Sequence, residues 1–413
     1  MIHYPEELNI IFTTLQQHNA KAILVGGFVR DSLLHIESKD IDIEVYGISS
    51  FEALEKILCK FGRVNSVGQC FGVCKLHFAN VDLDFSLPRE DNKIASGHKG
   101  FEVQVDSSLS FYEATSRRDF TINAIGYDVE EKKILDPFNG MKDLENRVLR
   151  AVDTKKFAQD PLRVLRAIQF YARFNLQIDS ELFTLSKEMI KNNLLDELPK
   201  DRIFTEIKKL LLKSQKPSQG FTLLKKLKGF KYLPPLEQIN SRELELIFDS
   251  LDSMAKEKKF SSKTNLILML CTLCSEFDSL QTTTFIQNLT EEKEILKTVL
   301  PLTQTKLQDT YSDTQLYKLA LSVDIELFFT LQKVIHISKE SHFFESLKKR
   351  AKNLGVLNQK LKPILQGRDI IEYGIHPSKE FSKILSDAYE AQMNFEFYTI
   401  DEAKVWLKNY LVP

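Results

Sequence analysis

The amino-acid sequence predicts an α+β head followed by an all-α remainder, and two observations carry that expectation. Up to about Asp136, short runs of β-favouring residues alternate with turns. After Asp143 glycine thins out, and apolar residues recur at helical spacing, as in Leu162-Leu165-Ile168 and Ile207-Leu210-Leu211. The length of 413 residues corresponds to two to four structural units.

In chain order, residues 22–25, 41–46, 73–78, 81–85 and 101–105 are strand candidates, with helices expected at 32–36 and 54–61. From 143 onward helix follows helix, with breaks at Pro234-Pro235 and Pro363. Residues 265–274 are apolar all round and read as a buried helix, too short to span a bilayer. The N-terminus lacks the basic stretch and apolar run of a secretory leader, so a cytoplasmic location is expected. With 43% hydrophobic and 27% charged residues the chain can bury a core, which excludes a mostly disordered protein. Five cysteines include a lone C-x-x-C, Cys271 and Cys274, with no second ligand pair at zinc spacing; both are expected in the core.

A net charge of −1 gives no global sign of nucleic-acid binding. Locally, ten basic residues face two acidic ones between Lys200 and Lys231, and Lys348, Lys349, Arg350, Lys352, Lys360 and Lys362 form a second cluster. Such stretches can follow a phosphate backbone; they are also common on solvated helix faces.

The chemistry concentrates in the head. In Lys39-Asp-Ile-Asp-Ile-Glu-Val45, strand alternation puts Asp40, Asp42 and Glu44 on one face and the apolar residues on the other. Two carboxylates one step apart on an exposed face suit magnesium, a hard cation that takes few carboxylates plus phosphate oxygens. A merely solvated acidic face competes with that reading. Upstream, Gly26 and Gly27 follow an apolar strand, where their backbone N–H groups can approach a triphosphate, and Arg30 lies within reach of a phosphate oxygen. A third acid can come from Asp82 or Asp84, and three carboxylates suit a two-metal site for in-line displacement at phosphorus.

These residues resemble a known family. Gly26-Gly-Phe-Val-Arg-Asp31 with Asp40-Ile-Asp42 is similar to the first motif of the class II (bacterial and eukaryotic) tRNA nucleotidyltransferases and poly(A) polymerases. Arg117-Arg-Asp-Phe-Thr-Ile-Asn-Ala124, Asp136-Pro-Phe-Asn-Gly-Met-Lys-Asp143 and Gln159-Asp-Pro-Leu-Arg-Val-Leu-Arg166 follow in the family's order. The resemblance implies a polymerase-β-like head with a mixed or antiparallel sheet (1–140), then a helical neck (141–215), body (216–345) and tail (346–413). It implies Asp40, Asp42 and Asp84 as catalytic metal ligands, with Asp84 preferred to Asp82 because it stands five residues before Arg89. Arg117 and Arg118 are implied phosphate contacts, and Asp119 and Asn123 ribose contacts. Asp160 and Arg163 are implied to read the base edge of CTP or ATP as an amino-acid template, with Arg166 extending the basic stripe. Asp160 before Pro161 also has the form of a plain helix cap.

The sequence departs from the family at Gln159, where glutamate is usual, and at Gln169, where arginine is frequent. Residues 89–100 resemble the family's mobile loop, and Gly140 its head–neck junction. No His-Asp dipeptide occurs, so the phosphohydrolase domain of some relatives is not expected. At the C-terminus, Ile364-Leu-Gln-Gly-Arg-Asp-Ile-Ile371, Gly374-Ile-His-Pro377 and Trp406 resemble the tail of bacterial CCA-adding enzymes, with Trp406 expected as a core anchor. The expected partners are tRNA, CTP and ATP, with neither DNA nor membrane. CC-only or A-only addition, poly(A) synthesis and a non-catalytic RNA-binding role are the competing readings.

Overall fold

The computed structural model describes residues 2–38, 40–65, 73–93, 101–336 and 339–411, with side chains at 90–93 and 101–104 left aside. They pack as two units, Met1–Tyr232 and Leu233–Pro413.

In the first unit, helix α1 (Asn9–Gln17) leads into β1 (Lys21–Val25), α2 (Gly26–Leu33), β2 (Asp40–Tyr46) and α3 (Phe51–Leu58). Strands β3 (Val64–Asn65), β4 (Val73–Phe78) and β5 (Val81–Ser86) follow, then the hairpin of β6 (Arg89–Lys93) and β7 (Phe101–Val105). Helix α4 (Phe111–Thr115) precedes β8 (Gly126–Asp128) and β9 (Lys133–Leu135). Seven strands form one mixed sheet in the order β3-β4-β5-β2-β1-β8-β9, in which only β2 and β5 run parallel. Period-two alternation sends Ile41, Ile43 and Val45 of β2, with Leu83 and Phe85 of β5, into the core. The acidic positions between them are thereby held on the opposite face.

Two expectations change. The helix expected at 32–36 begins six residues earlier, because the glycine pair is its first turn rather than a preceding loop. Residues 89–93, expected as loop, form β6, and residues 94–100 of that expected loop lie outside the described residues.

Past the sheet, Gly140 opens α5 (Gly140–Glu145), where a Cβ would lie 2.2 Å from the Thr121 carbonyl oxygen. The Asp136 carboxylate accepts from the Gly140 and Met141 N–H groups, fixing this corner. Strands β10 (Val148–Leu149) and β11 (Gln177–Ile178) pair around α6 (Thr154–Ala158) and α7 (Leu162–Arg173), and α8 (Ser180–Lys191), α9 (Lys200–Lys213) and α10 (Pro217–Lys226) follow. Val164, Leu165 and Ile168 of α7 and Phe204, Ile207, Leu210 and Leu211 of α9 are buried, which turns the charged faces of both helices outward.

The second unit contains only helices among its described residues. Its Ser262–Leu273 helix is buried from Leu266 onward and carries Cys271; Cys274 follows it, and both thiols are buried as expected. Near the C-terminus Leu365, Ile370, Ile384, Ala388, Phe397 and Leu407 form a small core against which Trp406 packs, its indole N–H donating to Glu396 at 2.9 Å. Two members of the second basic cluster are engaged within the unit: Lys348 donates to Thr330, and Arg350 to Asp313 and the Tyr311 carbonyl. Among the described residues no helix is long and apolar enough to cross a membrane.

Candidate active site

The parallel β2–β5 ladder pairs Asp40 with Asp82 and Asp42 with Asp84. Along β2 the acidic face runs from solvent into the core: Asp40 is exposed, Asp42 half-buried and Glu44 fully buried. The expectation of an exposed face therefore ends at Glu44, which accepts from the Tyr46 hydroxyl (2.7 Å) and Arg117 Nη2 (3.4 Å). Burial pushes the Asp42 carboxyl above its usual range; Arg118 opposes this, while Asp84 and Asp40 add to it. Asp84 is held by Lys75 of β4, and the exposed Asp82 by His77 at 2.7 Å. Among the described residues no three such groups are gathered tightly enough to grip an ion outright. The oxygen donors and the crowding of Asp40, Asp42 and Asp84 nonetheless fit a divalent cation, whose charge would relieve their repulsion.

Beside this face lies the start of α2. Gly26 adopts φ +69°, and a Cβ there would lie 3.0 Å from Arg118 Nη1 and 3.2 Å from Asp42 Oδ2. Glycine thus allows the backbone to approach both the carboxylate and the arginine. No side chain caps the helix, so its first N–H groups and the positive end of its dipole suit an anion.

The arginine motif folds as a bridge at Phe120 and a 3₁₀ turn, Thr121–Asn123, rather than the α-helix considered for Asp119 and Asn123. The turn still brings the pair together: Asn123 Nδ2 donates to Asp119 Oδ1 at 2.9 Å. Asp119 Oδ1 also accepts from the Phe120 N–H, and Oδ2 from Arg166 Nε at 2.7 Å, with Arg166 Nη2 in ion-pair contact at 2.6 Å. Three hydrogen bonds are thus made to a carboxylate that offers about four acceptor positions. Asp119 fixes Asn123 and Arg166, and it also lines the cavity described below. Burial alone would raise its carboxyl; Arg166 and Asn123 outweigh that and hold it below the usual range.

Arg30 is more deeply set than its place after the glycine turn suggests. It is 4% exposed, donates from Nε and Nη2 to Asp31 Oδ1 and from Nη1 to Asn123 Oδ1, and stacks over Phe170 and Phe174. Three of its five N–H groups are thereby spent on Asp31 and Asn123, while the residue still lines the cavity described below. Arg118 remains closest to the expected role: it borders Gly26 and Asp42, and its buried Nε has no hydrogen-bond partner.

On the helical side, Asp160 Oδ1 accepts from the Leu162 N–H at 3.0 Å, so it does cap α7. Arg163 donates to the carbonyls of Lys156 (3.0 Å) and Arg117 (2.7 Å), with Nε 4.0 Å from Asp160 Oδ2. The cap and the template reading coexist, since both side chains still line the same cavity as Gly26, Asp42 and Arg118. Its volume is about 680 Å³. The residues that sequence reasoning undervalued also line it. Gln169 is 2% exposed with an amide nitrogen lacking a partner, and Arg202, Lys209 and Lys213 sit on one face of α9. Burial, with Arg173 and Lys209, pushes the Lys213 ammonium below its usual value. The spacing of 7 and then 4 between those α9 cations was visible in the sequence.

Comparison with known proteins bears on the segments that carry this site and on the fold. Residues 22–150 match the model of the poly A polymerase head domain, and residues 175–239 that of the probable RNA and SrmB-binding site of polymerase A. The CCA-adding enzyme of Francisella tularensis subsp. tularensis (strain FSC 198) is 38% identical over 218 residues, 52% of this chain and 57% of that protein. The chain thus spans little more than half the length of that curated relative. Among solved structures, an apo form of a CCA-adding enzyme superposes with a TM-score of 0.70 at 20% identity, covering 100% of this chain and 96% of the other. The Thermotoga maritima CCA-adding enzyme complexed with tRNA gives 0.62 at 20% identity, covering 99% and 97%. At that identity the likeness is one of fold. The likeness to known families is thus carried by two segments, a head domain of the poly A polymerase type at residues 22–150 and the RNA-binding segment at 175–239.

Proposed function

We propose that this protein adds C, C and A in turn to the 3′ end of tRNA, from CTP and ATP, releasing pyrophosphate at each step. The observation that carries this reading is the single cavity that joins the carboxylate face and glycine turn to the Asp160–Arg163 turn. The primer's 3′ oxygen forms a bond to the α-phosphorus, the bond to the β-phosphate oxygen breaks, and the hydroxyl proton passes to solvent.

Asp40 and Asp42, with Asp84 as a third carboxylate, would hold a divalent cation, magnesium by preference. Bound there, it would neutralise the triphosphate and lower the pKa of the attacking hydroxyl. The N–H groups at the start of α2, with Arg118 and Arg117, orient the phosphates. Asn123, braced by Arg30 and Asp119, presents the polar edge for the ribose. Asp160 and Arg163 offer an acceptor and a donor fork to a base edge, which selects the nucleotide without a nucleic-acid template. The proposed division is head 1–140, neck 141–215, body 216–345 and tail 346–413, with the basic stretch at 200–231 and the tail holding the folded part of tRNA by shape and phosphate contact.

Purified protein incubated with tRNAs ending before the first C, before the terminal A, and complete, each with CTP, ATP or both, tests the assignment. The expected products are two C additions from CTP, one A from ATP, and no extension of the complete tRNA. Addition of C alone or A alone would narrow the activity, and a long adenosine tract on unrelated RNA would replace it with poly(A) synthesis. Binding without incorporation would favour a non-catalytic RNA-binding role.

A further inference from the structure

Lys75 of β4 lies opposite Asp84 of β5, which lies opposite Asp42 of β2. Register partners project to the same face of a sheet, so one ammonium stands in a row with the carboxylates. Its Nζ is 2.7 and 3.0 Å from the two oxygens of Asp84, and it is within electrostatic reach of Asp40 and Asp42. The Lys75 side chain is 62% exposed, so packing does not fix it there. Nothing in the reaction above uses Lys75.

We propose that Lys75 is a resident counter-cation: it occupies Asp84 while no divalent ion is bound, and must release Asp84 before the ion can take it as a ligand. The proposal rests on the metal reading of Asp40 and Asp42. Three carboxylates on adjacent register positions repel one another, and a single flexible ammonium relieves that cost in the empty site. An exposed ion pair contributes little to stability, so the exchange is easy. The consequence is a site that holds an ion weakly on its own and fills fully when a nucleotide triphosphate brings further oxygen donors. Lys75 is thus a positioning residue, acting through Asp84.

The test is Mn²⁺ binding to the full chain without nucleotide, followed by electron paramagnetic resonance, in wild type, Lys75→Met, Asp84→Asn and the double variant. Lys75→Met is expected to bind Mn²⁺ about two- to fivefold more tightly than wild type, the size expected when an exposed ion pair stops competing. Asp84→Asn is expected to bind more weakly, and adding Lys75→Met to it should change affinity by less than about twofold, since the shared partner is gone. Unchanged or weaker binding in Lys75→Met would overturn the proposal, as would full tightening in the Asp84→Asn background. Asp42→Asn separates the two layers. If it weakens Mn²⁺ binding while Lys75→Met has no effect, the Lys75 role alone fails; if it leaves binding unchanged, the metal reading fails and takes the Lys75 role with it.

Discussion

The two ends of the cavity are built on opposite principles. On the strand face compensation is only partial: Asp40 is exposed, Asp84 has the exposed Lys75, and Asp42 is pushed above its usual range by burial, with Asp84 and Asp40 adding to it and Arg118 opposing it. On the opposite side the charges around Asp119 are engaged. Asp119 accepts three hydrogen bonds, Arg166 clamps it, Arg163 holds two backbone carbonyls, and Arg30 is buried against Asp31 and Asn123. The difference separates two tasks. Groups that meet developing charge gain from staying unsatisfied until ligand arrives, whereas groups that set ligand geometry gain from being braced.

Substitutions at the two ends should therefore fail differently. Asp42→Ala should lower nucleotide incorporation by about 10³-fold or more, since it removes a ligand of the charge-neutralising centre, while tRNA binding by filter retention is kept. Comparable incorporation would remove the strand face from the chemistry. Arg166→Ala should act on the fold instead, because it strands the buried Asp119 carboxylate; a loss of about 3 kcal/mol in urea unfolding at neutral pH is expected. Its pH dependence sharpens the point. With Arg166 present, the Asp119 carboxyl sits below its unfolded value, so its contribution to stability is complete above about pH 4 and is lost as pH falls through the lowered native value. The deficit of Arg166→Ala should accordingly shrink in acid, and a deficit independent of pH would show that the ion pair is not its source. Gly26→Ala should have the smallest effect on stability, about 1–2 kcal/mol for a side chain at positive φ, with a larger loss of incorporation as the new Cβ crowds Arg118 and Asp42.

What could be read beforehand follows the same division. The strands at 73–78 and 101–105 were legible to the residue, and so was the common face of Asp40, Asp42 and Glu44, because period-two alternation is a local property. The depth gradient along that face was not, since it depends on what covers Glu44: Tyr46 is the next position on the same face, but Arg117 comes from far along the chain. Asp84 was preferred to Asp82 from its spacing to Arg89, and the β2–β5 register sets it beside Asp42; Lys75 escaped notice because its partner is set by strand pairing. The depth of Arg30 escaped for a related reason. Its place after a glycine turn suggests a phosphate contact, and the stacking of Phe170 and Phe174, far along the chain, on its guanidinium is not visible locally. Local pattern identified which residue types gather; long-range pairing decided which of them remain open to a ligand.

In the proposed function one end of the cavity performs the transfer and the other chooses the base. Competition between CTP and UTP for addition to a tRNA ending before the first C, in wild type and Arg163→Ala, tests it most directly, with Mn²⁺ binding followed alongside. Arg163→Ala should lower the CTP-to-UTP ratio of kcat/KM by at least about tenfold, the cost of unpairing one polar base edge, and leave ion binding intact. An unchanged ratio with both rates reduced would contradict it, leaving Arg163 as a brace for Arg117 and nothing more.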